Sequence, residues 1–277
     1  MEASVSFEEY GFGKRMKSML RVDMRRMLRS RLFYILLACA LLVPVVMTVM
    51  LTMMDGTVPT DPQTGLPGEP MEGPEYVWES IGTLPAEETQ SADAAMGGMD
   101  VMAMCNINMA FMGVAVFVCL FISDDFRSGY SKNLFTVRSK KSDYVISKTL
   151  MGTLCGVLML IAYFIGAMLG GAVSGLSFEL IGGLSIGNII MCMLAKSFLM
   201  LVFVSIFVAI SVAAKQRAWL SICGSLGGGM LLFMMVGMIT PLGSTMINVA
   251  LCLAGGLLFA LGLGAISNVI LKKTGLV

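Results

Sequence analysis

The residues able to do chemistry are few in this 277-residue chain, and they lie at the edges of long apolar stretches. Catalysis at membrane depth needs groups that ionise or attack there, such as paired Asp, a metal cluster, or Ser beside a general base. The apolar stretches hold no Asp, Glu or His away from their ends. The chain has no His at all, which removes the commonest metal ligand and general base. An enzyme is therefore not expected. Glu179 and Asp100 lie at or beyond the outer ends of apolar stretches, so no titrating carboxylate is in place for proton-coupled antiport. GFGKR, Gly11 to Arg15, lacks the spacing and the Ser or Thr of a G-x-x-x-x-G-K-[ST] phosphate cradle. No cofactor is expected in this chain, and any ATP and magnesium belong on another polypeptide.

Sulfur is abundant but points to packing. Methionines cluster at Met96, Met99, Met102, Met104, Met109 and Met112, and again at Met230, Met234, Met235 and Met238. Thioethers can hold soft copper, yet no His accompanies them, so gap-filling comes first, a pliable substrate path second and a metal site last. The seven cysteines all sit in apolar stretches and read as small buried hydrophobes rather than a disulfide framework.

A membrane bundle must position these residues. The chain is 57% hydrophobic and only 13% charged, against about a quarter charged in soluble domains. Six apolar runs approach the roughly 20 residues that a helix needs to cross hydrocarbon. They cover Leu32 to Met53, Val101 to Ser123, Thr149 to Val173, a run ending at Ala214, Ala218 to Ile239, and Met246 to Leu271. An all-α, polytopic protein with six transmembrane helices is expected, residues 32–277 forming the membrane domain. Residues 1–31 are too long and too charged for a signal-peptide n-region, so the first span is retained.

The charges orient the chain. Every Lys and Arg except Lys196 falls in segments an even number of crossings apart. Ten of the 18 acids sit in residues 54–100, which hold no Lys or Arg. The positive-inside rule then makes 54–100 an acidic extracellular loop, 124–148 a cytoplasmic loop, and both termini cytoplasmic. Met16, Met19, Leu20, Met24, Met27 and Leu28 form one helical stripe, with Lys14, Lys17, Arg21, Arg25 and Arg29 largely away from it. This predicts an amphipathic helix on the cytoplasmic surface, facing anionic headgroups.

Smaller features refine the expectation. Pro44 predicts a kink in the first span. Six of the eight prolines lie in the outer loop, where Tyr76, Val77, Trp78, Ile81 and Leu84 read as an interfacial anchoring patch or a cover over a pore mouth. Ser174 to Asn188 suits an outer loop or shallow re-entrant piece. A lysine at the bilayer centre costs about 2.5 to 3.5 kcal/mol, so Lys196 is expected to snorkel to the outer interface or to face a wet cavity. Small residues recur four apart at Gly152 and Gly156, Gly166 and Gly170, Gly224 and Gly228, and Gly256, Ala260 and Gly264, a spacing that lets helix backbones approach.

The most specific signal runs from Asp124 to Lys148. Asp124, Asp125, Phe126, Gly129, Tyr130, Lys132, Asn133, Ser139, Tyr144, Ser147 and Lys148 resemble a pattern in the membrane subunits of type-2 ATP-binding-cassette exporters. In that family an acidic-aromatic pair leaves span two, a glycine and a basic residue follow, and a Ser-Arg-type step leads to a Lys opening span three. This chain departs at Lys140, where Arg is more usual, and its Asp-Phe replaces the frequent Glu-Phe.

The resemblance implies that 124–148 forms a short coupling helix docking into a cytoplasmic ATPase. It implies a permease, paired with a second copy or a related chain and two ATPase subunits, in a bacterial cell membrane. Small members of this family often export, or confer immunity to, antimicrobial peptides, and an acidic outer loop attracts a cationic peptide. Lipid and protein are the expected partners, with no nucleic acid. Two other readings stay open: a non-transporting scaffold or immunity protein, and a carrier driven by an ion gradient.

Overall fold

The structure, a computed structural model, describes residues 11–53, 56, 77, 78, 81, 105–137, 141–176, 185–239 and 246–273. Side chains at 51, 105–109, 137 and 233–239 also lie outside the description. The described residues are helical with short breaks and no strand. The helices are α1 (Phe12–Arg29), α2 (Arg31–Thr52), α3 (Cys105–Arg127), α4 (Tyr130–Val137), α5 (Lys141–Val173), α6 (Ile186–Ala214), α7 (Ala218–Ile239) and α8 (Met246–Lys273).

Each break has a local cause. Ser30 adopts extended backbone after α1, and its N–H donates to the Met27 carbonyl at 3.0 Å. Gly129, at φ +76°, turns the chain between α3 and α4, a conformation that costs a residue with a Cβ about 1–2 kcal/mol. Ser185 caps α6, its hydroxyl accepting from the Asn188 N–H at 3.2 Å.

Four helices, α2, α5, α6 and α8, are long and apolar enough to cross a membrane, which fits a helical membrane protein. α3 ends in Asp124, Asp125 and Arg127, and the described apolar run of α7 is short, covering Ala218–Leu232. α5 lies at the centre, against α1, α2, α3, α6 and α8. The most extensive pairings join α6 to α8 and α2 to α5. Phe111 stacks on Phe203 at 5.2 Å in the core between α3 and α6.

Glycines set the α2–α5 spacing. A Cβ at Gly170 would lie 2.8 Å from Thr48 Cβ and 2.9 Å from the Val45 carbonyl, and one at Gly166 would meet the Leu41 carbonyl and Pro44 Cγ. α2 runs on through Pro44, whose ring fits where Gly166 has no side chain. Gly152 and Gly156 face Val118, Val204, Val114 and Met200, and Gly256 faces the Phe198 carbonyl. A Cβ at Gly224 would meet Ile210 at 3.1 Å, whereas one at Gly264 would meet nothing within 4 Å among the described residues.

Three details differ from the sequence reading. Helix continues where a loop is expected: α3 runs through Asp124 to Arg127, and α5 starts at Lys141 rather than near Thr149. The charges at Lys141–Lys148 are met by partners on other helices, so they do not end the element. Val77, Trp78 and Ile81 are buried against Ala167, with Phe164, Met168 and Ile189 around them, so Trp78 packs on protein rather than anchoring in an interface. Tyr76 and Leu84 lie outside the described residues.

Lys196 does not snorkel. It is 2% exposed, about 15 Å along α6 from its first residue, and donates to the Ile81 carbonyl. Its ammonium is held on protein backbone at Ile81. Of the methionine clusters, Met96, Met99, Met102 and Met104 lie outside the description, and Met112 and Met230 are exposed.

Candidate functional site

The site grows from the one acid in a basic helix. Met16, Met19, Asp23 and Met27 share the buried stripe of α1, so the only carboxylate of that helix faces protein. The methionines seat the stripe against α5 and carry Asp23 into the bundle end. There, Lys148 on α5 reaches Asp23 Oδ1 at 2.8 Å, and Ser147 donates to Asp23 Oδ2 at 2.7 Å.

Lys148 also reaches Asp125 Oδ2, at the C-terminal end of α3, at 2.8 Å. The Tyr144 hydroxyl, one turn before Lys148, donates to the same oxygen at 3.0 Å. Arg26 closes the figure, 2.5 Å from Asp125 Oδ1, 3.9 Å from Asp23 and 3.6 Å from the exposed Asp124. Burial works against its charge, but Asp125 and then Asp23 outweigh it and raise the guanidinium above its ordinary pKa.

Asp23, Asp125, Lys148 and Arg26 thus form a neutral quartet, three of them almost wholly buried. Buried charge is tolerated only when paired and hydrogen-bonded, and losing one member of such a pair costs about 3–5 kcal/mol. Aromatic faces complete the surroundings. Lys148 Nζ lies 4.1 Å from the Phe121 ring centre, and the Arg26 guanidinium lies 4.5 Å from that of Tyr130.

Further contacts tie the remaining helices to this hub. Arg15 of α1 pairs with Asp143 of α5 at 2.9 Å. Lys141 Nζ donates to the Leu271 carbonyl in the last turn of α8 at 2.9 Å, a favourable place for a cation. Gln216, between α6 and α7, donates to the Phe126 carbonyl of α3 at 3.4 Å. Deeper in the bundle, Ser211 and Ser221 hydroxyls lie 2.7 Å apart, and Cys119 donates to Ser225 at 3.2 Å, linking α3, α6 and α7.

The residues singled out by sequence divide between two roles. Asp125, Tyr144, Ser147 and Lys148 meet inside the hub, and Phe126 packs edge-on to Tyr144 with ring centres 6.3 Å apart. Tyr130 sits beneath Arg26, and Gly129 makes the turn. Asp124, Lys132 and Asn133 are exposed, and Ser139 lies outside the described residues. α4 has one free face, Lys132, Asn133 and Thr136, while Leu134 and Phe135 pack on the core.

Sequence reasoning missed Asp23, Arg26, Arg15 and Asp143. A signal for Asp23 existed: a lone acid at the spacing of Met16, Met19 and Met27 in an otherwise basic helix. Arg26 looked like one more topology-setting cation. Among the described residues no three His, Cys, Asp or Glu converge as metal ligands. What the arrangement does is hold α1, α3, α5, α8 and the α6–α7 turn in fixed register at one end of the bundle. No family model matches the chain, and no curated protein and no solved structure matches it either.

Proposed function

We propose that this chain is the membrane subunit of a bacterial exporter, driven by a separate ATPase that docks on the free face of α4. The observation that carries this reading is the base under α4: Tyr130 and Phe135 pack on Arg26 and Tyr144, the neutral quartet joins α1, α3 and α5, and Lys141 and Gln216 add α8 and the α6–α7 turn. A push on α4 therefore reaches the spans as one movement, which a solvated loop does not transmit. The resemblance of 124–148 to type-2 ATP-binding-cassette permeases supports the same assignment.

On this reading the quartet end faces the cytoplasm, six helices cross the membrane, and two permease chains meet two ATPase subunits. ATP and magnesium belong to the ATPase. Its closure favours one arrangement of the spans and substrate favours another, with α4 joining the two equilibria. An antimicrobial peptide or similar amphiphile fits the acidic residues 54–100 as substrate.

The test uses the exposed face, which the fold does not need. Lys132→Glu with Asn133→Ala should reduce ATPase copurification in mild detergent at least about tenfold, about 1.4 kcal/mol, with membrane insertion unchanged. Full retention of the ATPase, and of its stimulation by this chain, overturns the assignment.

A further inference from the structure

A cleft of about 540 Å³ opens beside the quartet, between the α1–α2 junction, the second half of α3 and the start of α7. Its polar rim carries three guanidiniums, Arg26, Arg29 and Arg127, against one carboxylate, Asp124. Arg26 is engaged by the quartet, but Arg29 and Arg127 are exposed and have no acidic partner among the described residues. Two arginines with no acidic partner among the described residues are an electrostatic surplus that the described fold does not use.

The other side of the cleft is apolar, formed by Leu32, Phe117 and Leu120. Ser123 also lines it, 4% exposed, its hydroxyl without a hydrogen-bond partner among the described residues. α7 begins at Ala218 on the same rim, which brings the positive end of a helix dipole to the cleft. Guanidinium matches phosphate geometry with paired N–H donors, and basic pockets between membrane helices suit acidic headgroups.

We infer that this cleft binds a phosphate anion, carried on an acidic phospholipid headgroup or free in solution, through Arg29 and Arg127. The apolar wall gives an acyl chain somewhere to lie. Arg26 belongs to both cleft and quartet, so the anion sits against the joint between α1 and α3. Binding depends on charge and shape in this cleft and holds whether or not the chain transports anything.

The test titrates the full chain in neutral detergent with dioctanoyl phosphatidylglycerol, dioctanoyl phosphatidylcholine and inorganic phosphate, read by native mass spectrometry and thermal midpoint. Arg29→Gln with Arg127→Gln should weaken phosphatidylglycerol binding about tenfold. Arg21→Gln with Arg25→Gln, exposed on α1 away from the cleft, should change it by less than about twofold. The Arg29→Lys, Arg127→Lys pair keeps both charges but loses the paired donors, so its binding should fall between that of the unchanged chain and that of the Gln pair, and its ligand-free midpoint reports folding.

Competition by inorganic phosphate assigns the site to the phosphate group alone. Failure to compete, with binding still dependent on Arg29 and Arg127, assigns it to the lipid headgroup. Equal binding of phosphatidylcholine overturns the proposal. So does equal loss in the Arg21, Arg25 pair, or unchanged binding in the Arg29, Arg127 pair.

Discussion

Two lysines, Lys148 and Lys196, are each 2% exposed and lie toward opposite ends of the bundle, yet their surroundings share nothing. Lys148 lies between two carboxylates, beside three aromatic rings, in a set whose charges cancel. Lys196 donates to a backbone carbonyl, and no carboxylate pairs with it among the described residues. Burial alone therefore does not identify a structural ion pair. At one end charge locks elements together; at the other a cation holds the Ile81 backbone to α6.

The comparison breaks most visibly at Lys148. Lys148→Met leaves Asp23 and Asp125 sharing one guanidinium, and should lower stability by about 3–5 kcal/mol in reversible denaturation in detergent. Adding Asp23→Leu keeps the Arg26–Asp125 pair and restores neutrality. The double variant should be more stable than Lys148→Met alone by about 1–3 kcal/mol, and simple additivity would show that the quartet does not act as a unit.

Away from both lysines, Gly166→Ala forces a methyl into the Leu41 carbonyl and the Pro44 ring, and should cost about 1–3 kcal/mol by the same measurement. The smallest effect belongs to Lys196→Met, which removes a cation that has no carboxylate among the described residues and keeps its length. It should change stability by less than about 1.5 kcal/mol while increasing proteolysis within residues 54–100. A loss as large as that of Lys148→Met would erase the contrast.

Much of the bundle was legible because apolar runs speak directly. The end at Ala214, and the starts at Ala218 and Met246, coincide with helix bounds read from hydropathy. The base of α5 was illegible, since Lys141, Asp143 and Lys148 look like loop residues until Leu271, Arg15 and Asp23 are placed beside them. Asp23 itself hid among cations that had a sufficient explanation in topology. The stretch from Asp124 to Lys148 stood out, but sequence does not separate residues facing a partner from residues facing one another. Here Lys132 and Asn133 look outward, while Asp125, Tyr144 and Lys148 look inward.

α5 is one unbroken helix of 33 residues, about 50 Å long, against about 30 Å of hydrocarbon. Crossing it upright would leave about 20 Å of the helix clear of the lipid tails. A rigid rod gripped by its protruding handle amplifies what it is given: a tilt of about 5° carries the far tip about 4 Å sideways. That tip lies beside Trp78 and Ile81, so under the proposed coupling a tilt imposed among arginines and aspartates would arrive as a shift beneath those two side chains.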